Sequence, residues 1–156
     1  RIKSPKSEKT NEGITVSRSI TQSTSPSRSK STLLTLVSQW QMLGDFMRTA
    51  ANPVPEDSPE YDKIDFNMDI YRAFTEGYLS TAKEFLLPVE IENLPYAARL
   101  FAFMQSVRFL CDYINGDVYY KVSYPEHNYV RARNQMELFL SATENEEEMK
   151  KFTYNL

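Results

Sequence analysis

Apolar residues recur every three or four positions through most of the C-terminal two thirds of the chain, which is the spacing of amphipathic helices. The clearest run lies between Asn93 and Gly116. Its apolar members are Leu100, Phe103, Met104, Val107, Leu110, Cys111 and Ile114. Asn93 followed by Pro95 marks the start of this helix, and Asn115-Gly116 supplies a left-handed stop. We expect the apolar stripe to face the core.

One helix precedes this run. Asp65 or Asn67 can cap it, because either side chain accepts hydrogen bonds from the free N–H groups of a first helical turn. Pro88 ends it, since proline cannot continue a helix. Its predicted apolar face consists of Ile70, Tyr71, Phe74, Tyr78, Ala82 and Phe85.

Two helices follow the run, after a turn segment that ends at Pro125. The first covers about residues 126–141 and has an apolar face made of Tyr129, Ala132, Met136 and Phe139. The second is polar, with Glu146 and Glu147 placed four residues before Lys150 and Lys151. Such pairs contribute only about 0.2–0.5 kcal/mol each, which is typical of a solvated face.

The N-terminal part has a different character. Residues 1–32 show no apolar periodicity and are rich in Ser and Thr, so we expect them to be disordered. Residues 33–50 are apolar but ambiguous, because Gly44 interrupts a possible helical stripe. We therefore divide the chain into a low-complexity segment, residues 1–43, and an all-α domain, residues 44–156.

Composition and charge support this division. The whole chain has a formal net charge of −3 and only four glycines, which disfavours turn-rich β architectures. Residues 1–50 carry an excess of basic side chains and the remainder an excess of acidic ones. No run of 18 apolar residues exists, so we expect no membrane contact. The single cysteine, Cys111, is expected to be a buried small hydrophobe in a reducing compartment, which favours the cytoplasm.

Two charged residues near the end of the long helix are candidates for chemistry. Arg108 and Asp112 lie four residues apart and so share a helix face. One interpretation is an intrahelical ion pair at the rim of the core. The other is a polar strip lining a cleft, in which Arg108 presents its fork of N–H donors to a small ligand. Tyr119 and Tyr120 would then add an aromatic face and a hydroxyl.

Other chemistry finds little support. His127 is the only histidine, which excludes a multi-histidine metal site, and it is expected to cap the third helix and to contact the preceding loop. Asp62, Asp65 and Asp69 lack the EF-hand spacing and are better explained as caps. There is no glycine-rich phosphate loop and no nucleophile elbow. No catalytic or metal-binding residue is predicted.

From about Gly44 to Phe152 the sequence resembles the C-terminal end of aminoglycoside phosphotransferase-superfamily kinases. It is most similar to bacterial N-acetylhexosamine 1-kinases. The segments that carry the resemblance are GDFMRTAANPVPED (44–57), TEGYLSTAKEFL (75–86), EIENLPYAARL (90–100), RFLCDYINGDVYYKV (108–122) and HNYVRARNQ (127–135). The resemblance implies the helical C-lobe of a protein-kinase-like fold.

It also implies an activity and a ligand. Enzymes of this family transfer phosphate from ATP, with magnesium, to the anomeric hydroxyl of an N-acetylhexosamine. The residues that match their sugar-binding positions are Arg108 and Tyr119, and Asp112, Asp117 and His127 are supporting candidates. The implied partner is therefore a small sugar, with no nucleic acid and no membrane.

The chain departs from the family where catalysis is expected. The catalytic His-Asn-Asp loop and the magnesium-binding Asp-x-Asp segment should lie just before Gly44, but residues 1–43 contain neither His nor Asp. The sequence has no binding motif for ATP or magnesium, so we expect this chain alone to be inactive. One hypothesis is that residues 1–43 are a frame-shifted translation, which reading the encoding DNA in the other two frames would test.

Two rival functions are compatible with the residues. A non-catalytic helical interaction module would use exposed aromatic side chains and would bind no sugar. A Ser/Arg-tailed nucleic-acid adaptor would bind in a strongly salt-dependent way, but the acidic C-terminal two thirds argue against it.

Overall fold

The computed structural model describes residues 30–156, with side chains from Trp40 onward. The elements in this part of the chain are α1 (Lys30–Ala50), a 3₁₀ turn (Tyr61–Lys63), α2 (Met68–Ala82), α3 (Pro88–Glu92), α4 (Leu94–Ile114), α5 (His127–Glu144) and α6 (Glu146–Tyr154). No strand occurs in this range, so the all-α prediction is confirmed there. Disorder was predicted for residues 1–32. Residues 1–29 lie outside the described residues, and the prediction is wrong for residues 30–32, which belong to α1.

The core is built around α4. Helices α1 and α5 pack along it, and α6 contacts it as well as α2, α3 and α5. The largest apolar side chains at the centre are Leu43, Met47, Tyr71, Leu94, Leu138 and Met149. Within residues 30–156, no helix is long and apolar enough to cross a membrane.

Gly44 does not interrupt α1, contrary to the prediction. The helix runs through it, and thus through the predicted boundary between residues 43 and 44, and Leu43 is fully buried. A Cβ at position 44 would lie 2.1 Å from Phe101 Cδ2 and 2.9 Å from the Ala97 carbonyl oxygen. Glycine is therefore used here for the close approach of α1 to α4 and not to end a helix.

The predicted core face of α4 is wrong. Ile114 is 72% exposed, and Phe103, Val107 and Leu110 are 39–40% exposed. Cys111 is exposed as well. The buried positions of α4 are instead Leu94, Pro95, Ala97, Ala98, Ala102, Ser106, Phe109 and Asp112. The helix is apolar on most sides, and its neighbours pack against the side with the smallest residues because they can approach it most closely there.

Helix α2 begins as predicted and ends early. The Asn67 side chain accepts hydrogen bonds from the N–H groups of Asp69 and Ile70, at 3.0 and 3.2 Å, so Asn67 rather than Asp65 is the cap. The helix ends at Ala82, and Phe85 beyond it is 58% exposed. Its buried face consists of Tyr71, Thr75, Leu79 and Ala82.

Helices α5 and α6 lie close to their predicted positions. The buried face of α5, however, contains His127, Asn128, Ala132, Asn134, Gln135, Leu138 and Ala142, while Tyr129 is 44% exposed. Burial of these polar side chains is tolerated because several of them form hydrogen bonds to loops. In α6, Lys150 Nζ lies 2.8 Å from Glu146 and 3.0 Å from Glu147, so the surface ion pairs converge on one lysine.

The close contact at Gly44 generates a test. Replacing Gly44 by alanine should destabilise the protein by about 1–3 kcal/mol, the usual cost of overpacking, because the Ala97 carbonyl belongs to helix backbone and cannot swing away. The free energy of unfolding in urea, followed by circular dichroism, measures the change. At Gly77 an added Cβ meets nothing within 4 Å. The control Gly77→Ala should therefore gain roughly 0.5–1 kcal/mol from helix propensity. Equal effects of the two substitutions would contradict the packing.

Candidate functional site

Asp112 organises the junction between α4 and the loop that follows it. Its side chain is buried in the last turns of α4. The carboxylate accepts the N–H groups of Tyr119 and Tyr120, both at 2.8 Å, and the Asn128 side-chain amide at 2.9 Å. The intrahelical ion pair with Arg108 that the spacing allowed is not formed, because Asp112 is directed toward the loop.

These hydrogen bonds keep Asp112 ionised. Burial by itself would raise the pKa of the carboxyl group, because desolvation disfavours its charged form. The N–H groups of residues 118–120 and the Asn128 amide outweigh burial and hold the pKa of Asp112 below its ordinary value of 3.8. The loop is thus attached to a buried negative charge.

The loop between α4 and α5 contains three left-handed residues. Glu126, which directly precedes α5, has a φ of 70°. Gly116 has a φ of 87° and Asp117 a φ of 57°. Glycine adopts this conformation without a Cβ penalty, and aspartate tolerates it better than most residues. The Asp117 N–H donates to the Asp112 carbonyl at 2.9 Å, and the Asp117 carboxylate accepts from Asn128 at 2.9 Å. Asp117 therefore stabilises the loop by linking it to the end of α4 and to Asn128.

The two tyrosines of the loop have different environments. Tyr120 is half-buried, with its ring 4.7 Å from that of Phe109 and its hydroxyl accepting from Gln105 Nε2 at 3.1 Å. Tyr119 is 82% exposed and meets Tyr120 edge to face at 4.8 Å between ring centroids. Tyr120 is a structural support, and Tyr119 presents a free ring and hydroxyl to solvent.

Arg108 lies on the side of α4 that carries this loop. It follows Gln105 by three residues and precedes Asp112 by four, and both of these contact the tyrosine segment. Its side chain is exposed and makes no hydrogen bond or ion pair within the described residues. Among the described residues, no hydrogen bond or cation–π contact joins Arg108 to Tyr119. Both candidate sugar-binding residues are therefore available for an external ligand.

His127 is a buried link between two loops. It is 3% exposed, its Nδ1 accepts the Ser123 N–H at 3.1 Å, and its ring stacks on Tyr124 at 4.6 Å. Its Nε2 lies 3.6 Å from Asp57 Oδ2. His127 thus contacts the preceding loop, as one prediction stated, and it provides no side-chain cap for α5.

Asn134 was missed by the sequence analysis. It is fully buried in α5 and donates to the carbonyl groups of Pro55, at 3.0 Å, and Ser58, at 3.2 Å. It also accepts from the Asn52 side chain at 2.8 Å. Asn134 therefore anchors the proline-containing 52–60 loop to the same helix that carries His127. The sequence feature that could have indicated this role is the position of an asparagine beside the apolar face of the helix.

A second anchor of the 52–60 loop is Glu56. Arg48 of α1 binds it at 2.5 Å, and Arg131 Nε lies 3.9 Å away. The Arg131 guanidinium also covers the Phe109 ring at 5.4 Å. The 52–60 loop and the 115–126 loop thus form one continuous surface at the N-terminal end of α5.

No group of three His, Cys, Asp or Glu side chains converges in residues 30–156. A groove of about 870 Å³ does exist, between α2, α3 and α6, but its lining includes none of the candidate site residues. No known protein-family model matches the chain.

Asp112 provides a pH-dependent test. Because its pKa is lowered in the folded state, the stability that it contributes is complete above the unfolded value and is lost as the pH falls below 3.8 through the folded-state pKa. Asp112→Asn should lower the melting temperature at neutral pH, because an amide NH₂ would then face a loop N–H or the Asn128 amide. The difference from the wild type should shrink in acid.

The control for this test is Asp62→Asn, which changes an exposed carboxylate. It should alter the melting temperature little at any pH. A gap between wild type and Asp112→Asn that stays constant down to low pH would show that the ionised carboxylate is not what holds the loop.

Proposed function

We propose that this chain is part of an ATP-dependent small-molecule phosphotransferase and carries one wall of its sugar pocket. The proposed acceptor is the anomeric hydroxyl of an N-acetylhexosamine. The observation that carries the proposal is Arg108, which is exposed and unpaired among the described residues on the side of α4 that holds the tyrosine loop.

The chemistry of the two exposed groups suits a sugar. A guanidinium offers several N–H donors in one plane, which match the hydroxyl and amide oxygens of an N-acetylhexosamine. The Tyr119 ring offers an apolar face for the C–H groups of the sugar and a hydroxyl for its polar edge. Asp112 holds the Tyr119 main chain at 2.8 Å. The arrangement therefore limits the ordering cost of binding.

We further propose that residues 44–156 are the helical C-lobe of a kinase-like fold. The exposed apolar residues of α4 support this, because a helix that is apolar on all sides is normally covered on all sides. The cover would come from the parts of a kinase that hold ATP and magnesium. We place the enzyme in the cytoplasm, where its single thiol stays reduced.

The same apolar surface of α4 favours a second candidate, a non-catalytic interaction module. Phe103, Val107, Leu110 and Ile114 follow one another at helical spacing, and each is at least 39% exposed. This candidate predicts a stable monomer or dimer with a cooperative melt and no sugar binding. Light scattering after gel filtration, combined with the sugar titration described below, separates the two.

The phosphotransferase proposal makes a prediction about turnover. The purified full chain should phosphorylate neither N-acetylglucosamine nor N-acetylgalactosamine in the presence of ATP and magnesium, because no described residue serves as a base or a metal ligand. The measurement is the appearance of the sugar 1-phosphate by ³¹P NMR. Clear turnover would refute this expectation.

It also makes a prediction about binding. Arg108→Ala should weaken the binding of N-acetylglucosamine or N-acetylgalactosamine by about 10-fold or more, since a hydrogen bond to a charged group contributes about 1.5–3 kcal/mol. The melting temperature should change little, because Arg108 has no hydrogen bond or ion pair to lose among the described residues. Ligand-observed NMR titration and thermal melting give the two readouts.

The matched control is Arg133→Ala. This arginine stacks on Tyr61 at 4.1 Å, outside the tyrosine loop. The control should leave sugar affinity unchanged. Equal losses of affinity in the two variants, or no measurable sugar binding by the wild type, would count against the proposed pocket.

A further inference from the structure

His127 has one satisfied and one unsatisfied ring nitrogen. Nδ1 accepts the Ser123 N–H at 3.1 Å. Nε2 is buried and has no hydrogen-bond partner, and the nearest carboxylate oxygen, Asp57 Oδ2, lies 3.6 Å away. This separation is too long for a hydrogen bond. A buried polar atom left without a partner is costly, so the position calls for an explanation.

The contacts define the protonation state of the ring. An Nδ1 that accepts a hydrogen bond carries no hydrogen, so the hydrogen of the neutral imidazole is on Nε2 and points toward Asp57. Protonation would add a hydrogen to Nδ1. The Nδ1–H group and the Ser123 N–H group would then both be donors and would face each other. The hydrogen bond between Ser123 and His127 would therefore be lost.

The charged surroundings favour a new bond on the opposite side. Glu56 is already neutralised by Arg48 at 2.5 Å, and Arg131 Nε lies 3.9 Å from the other Glu56 oxygen. Asp57 has neither of these partners, and its side chain is 54% exposed. Tyr124 stacks on the ring as a neutral group, and Glu126 precedes it on the exposed surface. An imidazolium therefore finds in Asp57 a nearby carboxylate that no other cation has taken.

We propose that His127 is a proton-controlled latch between two loops. Neutral His127 holds the 121–126 segment through the Ser123 N–H. Protonated His127 releases Ser123 and binds Asp57, which draws the 52–60 loop inward. The Nε2–Oδ2 separation then shortens from 3.6 Å to about 2.7–2.9 Å, the length of a charge-assisted hydrogen bond. The test compares the two states over a range from about pH 5 to pH 8.

The latch can be tested without a sugar ligand. Its failure and the failure of the proposed sugar pocket can therefore be told apart. Nitrogen-15 NMR of the full chain reports the His127 tautomer, and solvent-exchange NMR reports the protection of the Ser123 amide relative to its intrinsic rate. At the upper end of the range we expect the Nε2–H tautomer and a protected Ser123. At the lower end we expect an imidazolium and a protection about 10-fold smaller, the equivalent of one net hydrogen bond.

Two substitutions at position 127 separate the halves of the latch. In His127→Asn the side-chain oxygen takes the place of Nδ1 as a permanent acceptor, so Ser123 should stay protected at both ends of the range. In His127→Gln the amide takes the place of Nε2 and the acceptor is lost, so Ser123 should be unprotected at both ends. In Asp57→Asn, Ser123 should still be released in acid, while the amides of the 52–60 loop should no longer respond to pH.

Three results would overturn the proposal. The first is an Nδ1–H tautomer of neutral His127. The second is a Ser123 protection that does not change with pH in the wild type, or that still changes in His127→Asn. The third is an acid response of the 52–60 loop that persists in Asp57→Asn. Thermal melts of each variant at both ends of the range show whether a change reflects global unfolding instead.

Discussion

The choice of packing face on α4 is the constraint on which the rest of the structure depends. Ala97 lies against Gly44 of α1, and the Ser106 hydroxyl donates to the Ala132 carbonyl of α5 at 2.7 Å. These close contacts require small residues on α4 and on the helices that pack against it. Once α1 and α5 occupy this face, Phe109 and Asp112 must point inward as well. The larger residues of the helix, such as Leu110 and Ile114, are then left at the surface.

The inward position of Asp112 extends the order of the helix into the loop. A buried carboxylate must be surrounded by donors, and here the donors are loop N–H groups and the Asn128 amide. Asn134 does the same for the 52–60 loop through its contacts with main-chain carbonyl groups. Two long connections are therefore held by buried polar side chains of α4 and α5. They meet at His127, which contacts one loop and faces the other.

This construction bears on function through the groups it leaves free. Asp112 and Asn134, which hold the two loops, are buried and use their polar atoms in hydrogen bonds to the loops, so they are poor candidates for ligand contacts. Arg108 and Tyr119 have the opposite character, because each sits on an ordered backbone and presents its polar atoms to solvent. Two exposed polar side chains on ordered backbone are the reason for proposing a sugar pocket here.

Much of the local structure could be predicted from short-range rules. The cap at Asn67, the stop after Ile114 and the polar character of α6 all depend on residues within one or two turns, and all three are present. The all-α class followed from the same periodicity. The position of Arg108 and Asp112 on one side of α4 was also predictable, since helical spacing alone determines it.

What spacing could not decide was which contacts between distant segments would form. On α4 the apolar residues surround the helix, and only the fit against Gly44 and Ala132 selects the small side as the buried one. For Asp112, the sequence offered Arg108 one turn away, whereas the folded chain brings the Tyr119 and Tyr120 N–H groups to within 2.8 Å. The roles of Asn134, Asp57 and His127 have the same origin. Their partners are far apart in the chain or on separate loops, and close packing in three dimensions is what brings them together.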